Sequence, residues 1–188
     1  MSRATGLLIA IALLGGCNSE RATDESTAGV RVAPASQAQS AAESRDIAVL
    51  RRVTAPFHDF TVATAAGWSA QITPCMASPD GGMGFHYGNT SIIDGSVSVE
   101  APELLLYEPQ PGGKLNLVAV EYIVPYTAHS RSAAPPVLFG HQFKRNDVFK
   151  LWGLHVWVWK ENPNGTFANW NPLVSCQNTT QVSNMAHD

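Results

Sequence analysis

The sequence is short of charge. Only 14% of its residues are Asp, Glu, Lys or Arg, against about a quarter in ordinary soluble domains. Basic clusters are also scarce, none larger than Arg51-Arg52 or Lys144-Arg145, and the formal net charge is −3. No nucleic-acid partner is therefore expected. Beyond the N-terminus no apolar run is long enough to span a bilayer. No Gly-x-Ser-x-Gly turn offers a serine nucleophile. The glycine-rich stretch Ser78–Gly84 lacks the Gly-Lys-Ser/Thr ending of a phosphate loop. The six histidines show no His-x-His or His-x-x-x-His spacing, and no repeat is visible.

Cysteine is scarce too, and its three copies are informative. Arg3 is followed by a short apolar core from Gly6 to Leu14 and then by Leu14-Gly15-Gly16-Cys17. This order is that of a secretory signal, and the last four residues resemble a bacterial lipobox. Residues 1–16 are read as a signal peptide and Cys17 as the lipidated N-terminus, carrying acyl groups such as palmitate. Asn18 is not the Asp of inner-membrane retention, so the expected location is the cell envelope. In a host with two membranes that means the outer membrane, facing the periplasm or the surface. Cys75 and Cys176 then remain as a pair, and in an oxidising compartment a pair reads as a disulfide.

Residues 17–42 are rich in Ala, Ser, Thr and Gln. They bury too little to offset chain entropy and read as a flexible tether. A single domain is expected over 43–188. Apolar residues recur at helical steps from Ile47 to Phe60. Pro56 interrupts them, which predicts a kink or two short helices, with Thr54 as the second cap and Gly67 as the stop. Trp68 to Cys75 reads as a connection, 78–84 as a turn, and 85–87 as a short strand. Leu104–Tyr107 and Leu115–Val124 flank a Pro/Gly turn and predict a hairpin. The second strand is apolar on both faces, hence central. Leu115, Leu117, Ala119, Glu121 and Ile123 should share one face and the intervening residues the other. Val137–Phe143 is an edge segment, and Leu151–Lys160 is a strand with His155, Trp157 and Trp159 on one side. The predicted class is α+β: a kinked helix or helix pair packed on an antiparallel sheet of about four to six strands.

The stretches GGMGFHYGN (81–89), PELLLYEP (102–109), LVAVEYIVP (117–125) and HVWVWKENPNGTFANWNPLVSC (155–176) resemble a family of bacterial secreted proteins and lipoproteins without an assigned activity. The resemblance implies a common fold over most of the domain and no catalytic role.

Chemistry must come from the residues. Glu121 lies mid-strand on an apolar face, where a carboxylate needs a partner. If the two long strands are neighbours, it can face His155. With His86 the three make a His₂Glu set suited to zinc or another divalent ion with an open position. His141 and His129 are candidate fourth ligands. Tyr87, His141, Trp157 and Trp170, with Trp159 and Phe167, could instead line a pocket for an apolar or sugar ligand. The bland alternatives are a polar core network around Glu121 and tryptophans that only pack. Three functions remain open: a metal- or ligand-binding envelope lipoprotein, a metal-assisted or acid–base hydrolase, and an interaction module without a site. The last expects the three polar residues more than about 8 Å apart, too far to share an ion.

Overall fold

The computed structural model describes residues 35–179. The expected signal peptide, Cys17 and the tether up to residue 34 lie outside the described residues. Helix α1 spans Ala35–Thr54, so helix begins within the stretch read as tether rather than at Glu43. It gives way to one turn of 3-10 helix at Ala55–His58, where Pro56 sits, and α2 follows at Phe60–Ala65. The break falls where proline removes a backbone donor. Thr54 does not cap the second helix. Its hydroxyl donates to Leu50 O at 2.7 Å, and Asp59 caps α2 by accepting from Thr61 N at 2.9 Å. Gly67, at φ 112°, ends α2 in a Schellman motif, with Trp68 N bonded to Ala63 O and Gly67 N to Thr64 O. No helix among the described residues is long and apolar enough to cross a membrane.

Eight strands follow: β1 Ala70–Ser78, β2 Gly81–Gly88, β3 Leu104–Pro109, β4 Leu115–Pro125, β5 Val137–Leu138, β6 His141–Gln142, β7 Lys144–Asn146 and β8 Leu151–Val156. Six of them form a curled antiparallel sheet in the order β1-β2-β3-β4-β8-β7, and β5-β6 make a separate small hairpin. The fold is α+β, as the sequence pattern predicted. The segment read as a connection is instead β1. Pro74 is tolerated there because β1 is an edge strand, and register shifts near Thr73 and Met76 absorb it. The glycine-rich turn shrinks to Pro79-Asp80, with Gly81–Gly84 already in β2.

Strand alternation sorts the core into two layers. Leu50, Phe85, Tyr87, Leu105, Tyr107, Val120, Tyr122, Trp152, Leu154 and Val156 pack against the helices. Leu104, Leu106, Ala119, Ile123, Trp157 and Val174 pack on the opposite face. The expected alternation along β4 holds from Ala119 onward and is reversed before it. Leu106 pairs with Ala119 but Tyr107 with Leu117, so Val118 is a bulge residue. Leu117 joins the helix side and Val118 the other. β8 ends at Val156, not Lys160, because Trp157 N turns away to Thr166 O. Trp159 therefore leaves the His155 face and packs on the helix side, its indole N–H donating to Thr54 Oγ1 at 3.1 Å.

The C-terminal segment closes over the second face. Cys75 and Cys176 are bonded, with their Cα atoms 5.8 Å apart. Gly82 and Asn171 exchange backbone hydrogen bonds of 3.0 and 3.1 Å. Buried Glu108 accepts from Lys160 Nζ at 2.7 Å and Ser175 N at 2.9 Å, tying both ends of this segment to β3.

Candidate metal centre

β4 and β8 are neighbours, and their register places Glu121 opposite His155. His86 reaches the same face from β2, because Phe85 and Tyr87 on either side of it turn toward the helices. His86, Glu121 and His155 are all buried. Their donor atoms lie within 4.8 Å of one another, a grouping that could hold a metal ion. Glu121 is the hub: its Oε2 is 3.5 Å from His86 Nε2 and its Oε1 is 3.8 Å from His155 Nδ1. The separation expected of an interaction module without a site is not what the chain shows.

These distances have a meaning. Both exceed the 2.7–3.2 Å range of an N–H···O hydrogen bond. Donor atoms around a tetrahedral ion with bonds of about 2.1 Å stand roughly 3.4 Å apart. The group is therefore too open to be a closed hydrogen-bond network; its two contacts to Glu121 are near the spacing that a shared ion imposes, and with the donor atoms all within 4.8 Å of one another a small inward shift would let the three share one. His155 Nε2 is buried and has no hydrogen-bond partner among the described residues, which is rare for a buried polar atom. His86 is oriented from behind, with its Nδ1 2.8 Å from Thr73 Oγ1. When Nδ1 carries the proton and donates to Thr73, Nε2 is free to ligate, as an outer-shell partner of a metal histidine requires. Gly153, opposite Ile123 on β8, leaves room for the carboxylate: a Cβ there would stand 2.7 Å from Glu121 Oε1.

Burial draws all three groups toward their neutral forms. It pushes the Glu121 carboxyl up to about 8, with the Glu103 charge adding to the effect. It lowers His86 to about 4 against the raising effect of a hydrogen bond to the Gly84 backbone. His155 lies well below its ordinary value, first through burial and then through His86 and Lys144. The separations alone would also suit ion pairs, but with this much desolvation and no direct hydrogen bond the neutral description fits the metal-free trio better.

The trio borders a cavity of about 70 Å³, more than the ~15 Å³ that one water needs. Its remaining lining is mostly apolar, and Ile72 and Phe149, 41% and 49% exposed, form its outer edge. Phe149 is held in place by a braced loop. Its N–H and that of Val148 donate to Asn146 Oδ1, Asp147 is gripped by Arg131, and Lys150 takes a left-handed φ of 58°.

The other candidate residues lie elsewhere. Tyr87 faces the helix side, packed on Phe60 and Tyr107. His141 stacks on Phe167 with ring centres 3.8 Å apart and bonds Glu43 at 3.2 Å. His129 bonds Ala134 O at 2.7 Å. Neither histidine lines the cavity, so neither is a fourth ligand. Trp157 lies parallel to His155 with ring centres 6.4 Å apart, and its N–H donates to Ala168 O. Trp170 is half-buried and does not line the cavity. Tyr87, Trp157 and Trp170 thus build no common aromatic pocket. Thr73, Gly153 and Glu103 were not singled out from the sequence. Thr73 had one usable signal, a β-branched pair with Ile72 two residues before Cys75. Glu103, buried and accepting from Ile123 N at 3.1 Å, is pushed up to about 7 by burial.

No family model, no curated protein and no solved structure matches this chain.

Proposed function

We propose that this is a cell-envelope protein, anchored through lipid on Cys17, whose domain binds a metal ion between His86, Glu121 and His155. The observation that carries the reading is the convergence of three buried donors from three strands, one of them with an unpartnered nitrogen, beside a cavity. Zinc, copper and iron(II) are ions that such an N/O donor set suits. Three protein ligands leave a position open toward the cavity, where a bound ion would act as a Lewis acid on a small ligand. Thr73 orients His86, and Glu121 supplies the negative charge that makes a buried cation tolerable. The disulfide and the lipobox-like LGGC motif both support an oxidising compartment outside the cytoplasm.

The open position also suits a metal-assisted hydrolase, the second reading. Binding is favoured over hydrolysis because Glu121 is the sole carboxylate among the described residues lining the cavity. Once it ligates, no other carboxylate there serves as general base.

Protein purified without chelator should carry close to one zinc, copper or iron per chain by elemental analysis. At a free metal concentration about 100-fold above Kd, binding should contribute about 2.7 kcal/mol, a rise in Tm of about 5–10 °C for a domain of this size. Chelator should reverse the rise, and His155→Ala should abolish it. Metal-free protein whose Tm ignores added zinc, copper and iron(II) would refute the reading. For the anchor, Cys17→Ser should move the protein from the membrane to the soluble fraction and remove palmitate labelling. Unchanged fractionation would refute lipidation at this residue.

A further inference from the structure

Two methionines border the same cavity. The sequence contains four methionines. Both that fall among the described residues, Met76 and Met83, line the cavity together with His86, Glu121 and His155. Strict alternation would not put them there. Met76 is three residues from Thr73, and Met83 is three residues from His86, so each should face away from its neighbour at the site. Two irregularities reverse that. On β1 the register shifts between Thr73 and Met76. On β2 Gly84 adopts a φ of 84°, packed so closely on the Tyr107 carbonyl that a Cβ would collide with it. Met76 is paired with this same Gly84. The two distortions therefore lie opposite each other, and between them they bring both methionines to the cavity that the histidines line. Bulges next to functional sites commonly re-aim a side chain in this way.

Charge points in the same direction. Two neutral imidazoles, two thioethers and one carboxylate sum to −1. A monovalent cation makes that set neutral, whereas a divalent one leaves a net positive charge in an apolar cavity, which is costly. Thioether sulfur is a soft donor, and among biological metals it selects copper(I).

Resting on the metal-binding reading above, we propose that the centre is a copper(I) site, with Met76 and Met83 joining His86 and His155 as ligands and Glu121 balancing the charge. The three rotatable bonds of methionine let each sulfur swing to the ion, and the exposed lining residues Ile72 and Phe149 put one side of the cavity at the surface.

The test uses the full chain. Copper(I) affinity is measured by competition with bicinchoninate under reducing agent mild enough to spare the disulfide, and zinc affinity by competition with a colorimetric chelator. Met76→Leu/Met83→Leu keeps volume and apolarity, so the fold should survive, which circular dichroism checks. The double variant should lose about 100-fold in copper(I) affinity, ~2.7 kcal/mol, with zinc affinity essentially unmoved. X-ray absorption at the copper edge should show sulfur neighbours in the wild type and none in the double variant. If the double variant binds copper(I) as tightly as the wild type, the methionine ligation falls, and if another metal binds and copper(I) does not, the copper assignment falls, while in both cases the metal site stands. If the wild type binds neither of these ions and no iron, both readings fall together.

Discussion

Glu121→Gln should lose metal affinity by about 100-fold or more, because an amide is a neutral and poor ligand. The same substitution should make the metal-free protein more stable at pH 8. Between about pH 4.5 and 8 the folded protein retains a proton on Glu121 that the unfolded chain has released. Stability therefore falls as pH rises through that window. His86 works in the opposite sense. Its pKa drops from 6.5 to about 4 on folding, so it removes stability as pH falls through that range and has no effect above it. The interval from about pH 6.5 to 8 thus isolates the carboxyls, Glu121 and, at about 7, Glu103. Metal-free wild type should lose stability across this interval, and Glu121→Gln should lose distinctly less, the remainder belonging to Glu103. The difference at pH 8 should amount to a few kcal/mol, since each unit of pKa shift is worth about 1.4 kcal/mol. Urea denaturation at pH 6.5 and 8 measures it. Equal slopes in the two proteins would mean that Glu121 is charged and well paired without metal.

The second large effect belongs to the disulfide. Cys75 and Cys176 are 101 residues apart in sequence, and closing a loop of about 100 residues removes about 4.7 kcal/mol of unfolded-state entropy. Set against a total stability of about 5–15 kcal/mol, this is a major part of what holds the domain folded. Cys75→Ser/Cys176→Ser should lower Tm by about 10 °C or more. Reduction of the wild type should do the same. Function should suffer as well, because Cys75 lies between Thr73 and Met76 on an edge strand. With the bond gone, β1 keeps its pairing to β2 alone and the support behind His86 loosens. Metal affinity should therefore drop even though no donor to the ion has been replaced. A Tm that is insensitive to both serine substitution and reduction would contradict this account.

Much of the site was legible in two simple regularities. Glu121 stands out as a carboxylate on an apolar strand, and His155 as a polar residue on a strand of Trp, Leu and Val. Adjacent antiparallel pairing makes them face each other. What alternation could not reveal is where alternation breaks. The bulge at Val118 exchanged the faces of Leu117 and Val118, and the distortions near Thr73 and Gly84 hid Met76 and Met83. Each depends on how two strands fit together, a property that neither strand carries alone. The edge strand β1 escaped notice because Pro74 and Cys75 interrupt its pattern, and an edge position is what permits Pro74. Thr54 was passed over for Asp59 as a cap because the 3-10 turn inserts four residues before α2. His141, on a strand of only two residues, and Trp170, in a loop, offer no periodicity from which to infer a direction.

The two-layer alternation also bears on how the chain finds its pairing. Each of the three strands that carry the polar trio places its polar residue between aromatic or aliphatic neighbours: His86 between Phe85 and Tyr87, Glu121 between Val120 and Tyr122, His155 between Leu154 and Val156. A slip of one residue would drive that polar group into the packed aromatic layer beneath the helices and turn two large side chains outward. The penalty is steep and arises on three strands independently. Residues whose grouping could hold an ion thus also penalise misaligned pairings of the sheet, with no ion needed for that effect.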